Sequence, residues 1–73
     1  MVTSGWSWVY TIDAPIIMDI LVENGAFDVR EHESEGGKAR IDFKAANKKL
    51  ALRLLDIAQG AKDALHAIHY DGK

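Results

Sequence analysis

The chain has 73 residues, a net charge of −2 and no cysteine, and 48% of its residues are hydrophobic. This length fits a single domain, residues 1–73, of a size at which one core is only marginally stable. The composition argues against disorder and excludes disulfides and thiolate zinc sites. With no apolar run of roughly 18 residues and no signal-peptide pattern, we expect a cytoplasmic domain without membrane contact.

The charges are segregated along the chain. Residues 1–37 contain seven acidic residues and one basic residue, whereas residues 38–53 contain six basic residues and one acidic residue. The low net charge hides this asymmetry, so it neither requires nor excludes nucleic acid as a partner.

The first predicted element is a strand in GWSWVYTI. Trp6, Trp8, Tyr10 and Ile12 recur at every second position, which is the period of a strand with one aromatic face. Such a face usually belongs to the core, yet Trp and Tyr are also favoured anchors of protein interfaces. Because a short chain has few places to bury two tryptophans, Trp6 and Trp8 are candidate protein-binding residues.

A short helix is predicted next, in DAPIIMDILVENGAF. Asp13 is the expected N-cap, Pro15 lies in the first turn, where its missing N–H costs nothing, and Gly25 is the expected stop. Four aliphatic residues between these ends share one face: Ile16, Ile17, Ile20 and Leu21.

Alternating apolar and polar residues in AFDVREHESEGGKARIDF predict a hairpin. Pairing Arg30 with Asp42 and Asp28 with Lys44 brings opposite charges together, whereas a shift of two residues sets like charges against each other. The favoured register leaves residues 35–37 as a three-residue loop, whose two glycines supply the positive φ that the turn needs.

A long helix is predicted from about Ala45 to about His69, where apolar residues recur at steps of three and four. It would run roughly 37 Å, whereas a six-residue strand covers only about 20 Å. Leu52 and Leu55 fall off the main apolar stripe, on the flank expected to face water. This overhang and the additional leucines indicate a homodimer, and a bend at Gly60 is the alternative.

Together these elements predict an α+β fold of order β-α-β-β-α, a three-stranded sheet with two helices packed on one face. The sequence contains no motif that assigns the chain to a family, and many small binding modules share such an order. Function must therefore be argued from particular residues.

The hairpin carries the first candidate binding feature. Glu31, Glu33 and Glu35 recur at every second position and would form a ladder of carboxylates about 6.6 Å apart along an extended strand. Such a ladder would fit a basic groove built for nucleic-acid phosphates in a partner protein. Solvation of the hairpin tip and protection of a sheet edge are the simpler explanation.

Basic residues around the start of the long helix form an alternative, nucleic-acid-binding site: Lys38, Arg40, Lys44, Lys48, Lys49 and Arg53. Helix N-termini prefer acidic residues, so a lysine-rich start is locally unfavourable and indicates a task. Against this, the aromatic residues are expected to lie away from these bases, and a solvated helix face explains the charges equally well.

The end of the long helix contains Asp63, His66 and His69 at steps of three, followed by Asp71. Side chains at this spacing can converge on one metal ion. The segment lacks a dedicated metal motif, however, and histidines are also favoured at a helix C-terminus. We therefore expect a helix end and no metal or other cofactor.

The chain offers no evident catalytic constellation, because it has no cysteine and its serines fall on a tail, a strand and a hairpin tip. We therefore expect a non-enzymatic protein-binding regulator or inhibitor that acts by surface occlusion. The specific expectation is a phage or mobile-element accessory protein with an anti-defence role, such as an anti-CRISPR-like inhibitor. A nucleic-acid-binding regulator that uses the basic strand and helix start is the alternative.

Overall fold

The computed structural model describes residues 1–71, with side chains through residue 69. The elements form an α+β domain in the predicted order: β1 (Thr3–Tyr10), α1 (Ala14–Glu23), β2 (Phe27–Glu33), β3 (Lys38–Ala45) and α2 (Lys48–Asp71). A single 3-10 turn, Thr11–Asp13, joins β1 to α1. The fold spans 44 × 22 × 15 Å along its principal axes, which leaves room for two layers.

The three strands form one antiparallel sheet in the order β1-β3-β2. The chain leaves β1, crosses through α1 to the far edge at β2, and returns by the hairpin into the central position. β3 is therefore paired on both sides, whereas β1 and β2 are edge strands.

Both helices cover the same face of the sheet, as predicted. Alternate residues of β3 are buried against them: Ala39, Ile41, Phe43 and Ala45. On the helical side of the core, α1 contributes Ile17 and Leu21, and α2 contributes Leu54 and Ala58. These residues form one hydrophobic core between the sheet and the helices, and the opposite face of the sheet has no covering layer among the described residues.

The predicted hairpin register holds along the outer part of the hairpin, where Arg30 lies opposite Asp42. The Ser34 N–H donates to the carbonyl of Lys38 at 3.0 Å, and residues 35–37 form the loop, with φ of 76° and 75° at its two glycines. Nearer α1 the register differs, because a bulge shifts Phe27 opposite Lys44. The bulge places Asp28 at φ 52°, a conformation that Asp tolerates better than most residues.

The stop of α1 is the predicted one. Gly25 has φ 107°, its N–H donates to the Val22 carbonyl at 3.1 Å, and the Ala26 N–H donates to the Leu21 carbonyl at 2.9 Å. These two bonds make a Schellman motif. Asp13 occupies the N-cap position of α1, as predicted, but its side chain makes no capping bond, because the carboxylate is buried and contacts His69.

The long helix begins at Lys48, three residues later than predicted, because Asn47 caps it by accepting a hydrogen bond from the Leu50 N–H at 2.8 Å. It stays helical through Gly60. Leu52 is exposed as expected, but Leu55 is half-buried and packs against the core, so its predicted place off the apolar stripe is wrong. Within residues 1–71, neither helix is long and apolar enough to cross a bilayer.

Candidate functional site

The uncovered side of the sheet, here called the open face, carries both tryptophans. In β1 the side chains of Ser7 and Val9 point toward the helices. Successive side chains of a strand alternate between its faces, so Trp6 and Trp8 point the other way. Trp6 is 53% exposed and Trp8 is 43% exposed. The aromatic residues therefore form a surface, and the general tendency of such faces to be core does not apply.

The strand order brings the basic residues of β3 onto the same open face. Trp8 lies directly opposite Arg40, and Tyr10 lies opposite Lys38. Residues opposite each other in an antiparallel pair share a face. The expectation that the aromatic residues lie away from the bases is therefore wrong for this part of the basic cluster.

Cations contact both indole rings. The guanidinium carbon of Arg40 lies 4.6 Å from the centroid of the Trp6 ring. Trp8 has two cationic neighbours, with Lys38 Nζ at 5.1 Å and Lys62 Nζ at 4.4 Å, and Tyr10 meets it edge-on at 5.5 Å. These cation–π contacts and the aromatic pair hold the rings in place at the surface.

Lys62 belongs to α2, on the other side of the sheet, so its side chain crosses the outer edge of β1 to reach Trp8. Partial burial there lowers the pKa of Lys62 below its ordinary value of 10.5. The sequence pattern contains a signal for this residue, because Lys62 lies four positions after the buried Ala58 and thus on the core side of α2.

Two carboxylates join the bases into ion-pair clusters on the open face. Asp42 Oδ1 accepts a hydrogen bond from Arg40 Nε at 2.7 Å, and Asp42 Oδ2 lies 3.0 Å from His32 Nε2. Asp28 lies 3.0 Å from Lys44 Nζ and accepts a bond from Arg30 Nε at 3.2 Å. The hydrogen bond with Lys44, together with Arg30, lowers the pKa of Asp28.

The open face has an excess of positive charge. Against these two carboxylates, the strands place four bases there: Arg30, Lys38, Arg40 and Lys44. Beside Trp6 the surface falls into a shallow depression with a volume of about 380 Å³. Its lining combines the aromatic ring, both ion-pair clusters and strand backbone: Ser4, Gly5, Trp6, Asp28, Arg30, Arg40, Asp42, Phe43 and Lys44. Such a lining is suited to docking a side chain or a short extended segment.

The remaining predicted bases lie elsewhere. Lys48, Lys49 and Arg53 belong to the first two turns of α2, in the helical layer. Lys49 and Arg53 line a second shallow depression of about 270 Å³, together with Asn47 and Leu50. The structure thus divides the six predicted nucleic-acid residues into two groups on different sides of the domain.

The acidic ladder is also separate from the open face. Glu31 lies opposite the buried Ile41, and Glu33 lies opposite the buried Ala39, so both carboxylates are on the helical side of β2 and exposed there. The strand ends at Glu33, which places Glu35 in the loop. The predicted ladder is therefore reduced to two members on a strand.

The histidine-rich end of α2 serves a different contact from the one considered for a metal. His69 Nε2 lies 3.0 Å from Asp13 Oδ1, and Asp13 is only 2% exposed. Asp63 accepts a hydrogen bond from Gln59 at 3.0 Å. No group of three metal-binding side chains occurs among the described residues, and the side chain of Asp71 lies outside them.

No family model matches the chain, and no curated protein or solved structure is significantly similar to it.

Proposed function

We propose that the protein is a non-enzymatic binding module that regulates or inhibits another protein by occluding its surface, and that the open face is the binding surface. The observation that carries this proposal is the exposure of Trp6 and Trp8 on a face with no covering layer in the described chain. Tryptophan, tyrosine and arginine dominate the energetic centres of protein interfaces, and all three lie side by side here.

The arrangement limits the entropy that binding would cost. The indole rings are already in contact with Arg40 and Lys38 at 4.6 and 5.1 Å, so the surface is ordered before a partner arrives. Burying one exposed indole contributes on the order of 1.5 to 3 kcal/mol. Two anchors of this kind support specific association through a small surface.

The charge of the open face favours an acidic partner surface. Four bases stand against two carboxylates, and both carboxylates are already paired. An acidic patch on the partner gains attraction from the remaining positive charge, which speeds association and selects orientation. The expectation of a phage or mobile-element anti-defence protein stays a prediction, since it concerns which partner is occluded.

The test is affinity capture from a lysate of the cells in which the protein acts, with and without nuclease, at low and high salt, followed by mass spectrometry. The bait is compared with a Trp6→Ala/Trp8→Ala variant. Val22→Ala in α1 is the matched control, because Val22 is 55% exposed and lies on the helical layer.

We expect one dominant protein that survives nuclease and salt, is retained by Val22→Ala and is lost with the tryptophan variant. Equal recovery by the tryptophan variant would remove the open face from the mechanism. A Glu31→Gln/Glu33→Gln/Glu35→Gln variant tests the acidic residues separately: undiminished recovery would exclude them from the interface.

A nucleic-acid-binding regulator is the second candidate, because exposed tryptophans share a face with Lys38, Arg40 and Lys44. Single-stranded nucleic acids bind to sheets that combine stacking rings with a positively charged track. This candidate predicts capture that disappears with nuclease and affinity that falls steeply with salt. A Lys48→Glu/Arg53→Glu variant tests the separate basic group on α2. It should bind nucleic acid more weakly if that group takes part in binding.

A further inference from the structure

We infer that a second copy of this chain docks along the outer edge of β1, so that two β1 strands pair antiparallel and two three-stranded sheets join into one of six strands. The inference rests on three features of the described residues. These are the backbone groups at the edge, the charge of the strand and the flank of α2 above it. It does not depend on the function proposed for the open face.

The alternation of hydrogen-bonded and non-bonded pairs between β1 and β3 shows which backbone groups of β1 point outward. The Thr11 N–H donates to the Gly37 carbonyl at 2.8 Å, directly beyond the pair formed by Tyr10 and Lys38. Bonded and non-bonded pairs alternate along an antiparallel ladder, so the odd residues of β1 bond to β3. The N–H and C=O groups of Ser4, Trp6 and Trp8 consequently point away from the sheet, where they can bond to another strand.

The sequence of β1 opposes such pairing very little, although the flexible Lys62 side chain crosses the edge at Trp8 and has to move aside there. This sequence, TSGWSWVY, contains no charged residue and no proline over eight residues. Natural edge strands are normally protected by charges, prolines, bulges or short length. An uncharged strand does not repel a second copy of itself, and an antiparallel pair of identical strands has the two-fold symmetry that most homodimers adopt.

The flank of α2 above this edge carries an exposed leucine among polar and charged residues. Lys62 marks the flank, because it reaches Trp8 across the edge, whereas Leu50 marks the other flank, because its side chain lies beside Gly25 at the end of α1. At 100° per residue, Leu55 and Leu52 fall on the side of Lys62. Leu52 is 55% exposed, so a second copy at the edge would cover it.

The charges on this flank are complementary under a two-fold axis. At 100° per residue, Lys48 falls near the start of this flank and Asp63 falls near its end. Two α2 helices related by the axis run antiparallel, so Lys48 of each copy faces Asp63 of the other, while the neighbouring Lys62 amine is turned toward Trp8. Strand pairing, leucine packing and charge therefore favour the same occupant.

Analytical ultracentrifugation over a concentration series, with the full chain, measures the predicted dimer. Ser4→Pro removes one outward N–H without removing a bond to β3, and Ser4→Ala is its control. Leu52→Lys places a charge on the flank, and Val22→Lys is its control, since the two residues are equally exposed at 55%. Circular dichroism of each variant verifies that the monomer is folded.

We expect a dimer whose dissociation constant rises at least about tenfold with Ser4→Pro and with Leu52→Lys, since each disrupts one part of the contact. Ser4→Ala and Val22→Lys should leave it unchanged. Hydrogen exchange should also slow at the amides of Trp6 and Trp8 as the concentration rises. A chain that stays monomeric at about 100 μM, well above ordinary dimer affinities, overturns the inference. A folded dimer that is insensitive to Ser4→Pro overturns the strand pairing.

Discussion

The two edges of the sheet differ in how well they are protected against further strand pairing. β2 carries four charged residues among seven and is distorted by a bulge at Asp28, which has φ 52°. β1 is regular over eight residues and has no charge, and the Lys62 side chain crosses its edge. Edge protection in this fold is thus concentrated on β2, which leaves β1 as the side where another strand can be added.

The largest effect is expected from a substitution in β1 at Gly5. A Cβ atom at this position would lie 2.5 Å from Cζ of Phe43, whose ring is buried in the core. We expect Gly5→Val to lower the free energy of unfolding by about 3 kcal/mol, the upper end of the usual cost of overpacking. Urea denaturation followed by tryptophan fluorescence measures the loss.

The control for Gly5→Val lies on the protected edge. Glu31→Val adds a β-branched side chain to an exposed site of β2 and should change stability by no more than about 0.5 kcal/mol. A smaller ring partner should relieve the clash, so the Gly5→Val/Phe43→Leu pair should be less destabilising than the sum of the single variants. Strict additivity would show that the two side chains do not compete for space.

The next largest loss of stability is expected where the end of α2 contacts the turn that follows β1. His69→Ala would leave the buried Asp13 carboxylate without its partner, at a cost of about 1.5 kcal/mol. The same denaturation experiment measures this loss. Ile68→Ala is the control at the adjacent, exposed position, and an equal effect of the two variants would show that the Asp13 contact contributes nothing particular.

Removing the Lys62 side chain that crosses the β1 edge should have a smaller effect on the free energy of unfolding. Lys62→Ala removes the cation–π contact that the half-buried amine makes with Trp8, at a cost of about 0.5 to 1 kcal/mol. Trp6→Phe leaves Trp8 as the fluorescent tryptophan. In this background Lys62→Ala should increase the quenching of Trp8 fluorescence by acrylamide, and Lys49→Ala should leave it unchanged. Unaltered quenching would mean that Lys62 does not shield the ring.

The alkaline pH dependence of Lys62→Ala follows from the burial of the amine. Burial lowers the pKa of Lys62 in the folded state, so between that pKa and 10.5 the unfolded chain binds more protons. The wild-type protein should therefore gain stability relative to Lys62→Ala as the pH rises toward 10.5. A constant difference across that range would contradict the burial of the amine.

The smallest effect is expected at the ion-pair cluster of the protected edge. Asp28→Asn should lower the melting temperature by no more than about 4 °C, because exposed ion pairs contribute little. The partners Lys44 and Arg30 lower the pKa of Asp28 from its ordinary value of 3.8. The stabilisation is therefore complete above about pH 3.8 and is lost as the pH falls through the lowered pKa. A difference between wild type and variant that does not shrink as the pH falls below 3.8 would contradict this origin.

Local patterns predicted the elements whose causes are local. The Arg30–Asp42 pair, the two glycines of the loop and the Gly25 stop follow from neighbouring residues, and the structure confirms all three. The boundary of α2 was shifted because the cap at Asn47 competes with the helical pattern that precedes it.

Features that depend on distant residues were not predictable in the same way. The alternation in β1 separates two faces but does not show which of them is buried. The face with the smaller residues is the buried one, because the Phe43 ring fills the space above Gly5. The strand order decides that Trp8 meets Arg40, and no local pattern encodes that order. The open face was therefore present in the sequence as two unrelated clusters.

The contact between Asp13 and His69 has a consequence for how the chain is made. It joins positions 56 residues apart, so Asp13 cannot make this contact until residue 69 has left the ribosome. Synthesis proceeds at about 5 to 20 residues per second, so several seconds separate the emergence of the two positions. We expect the domain to reach its protease-resistant state only after residue 69 has emerged, because a buried carboxylate without its partner disfavours earlier closure of the core.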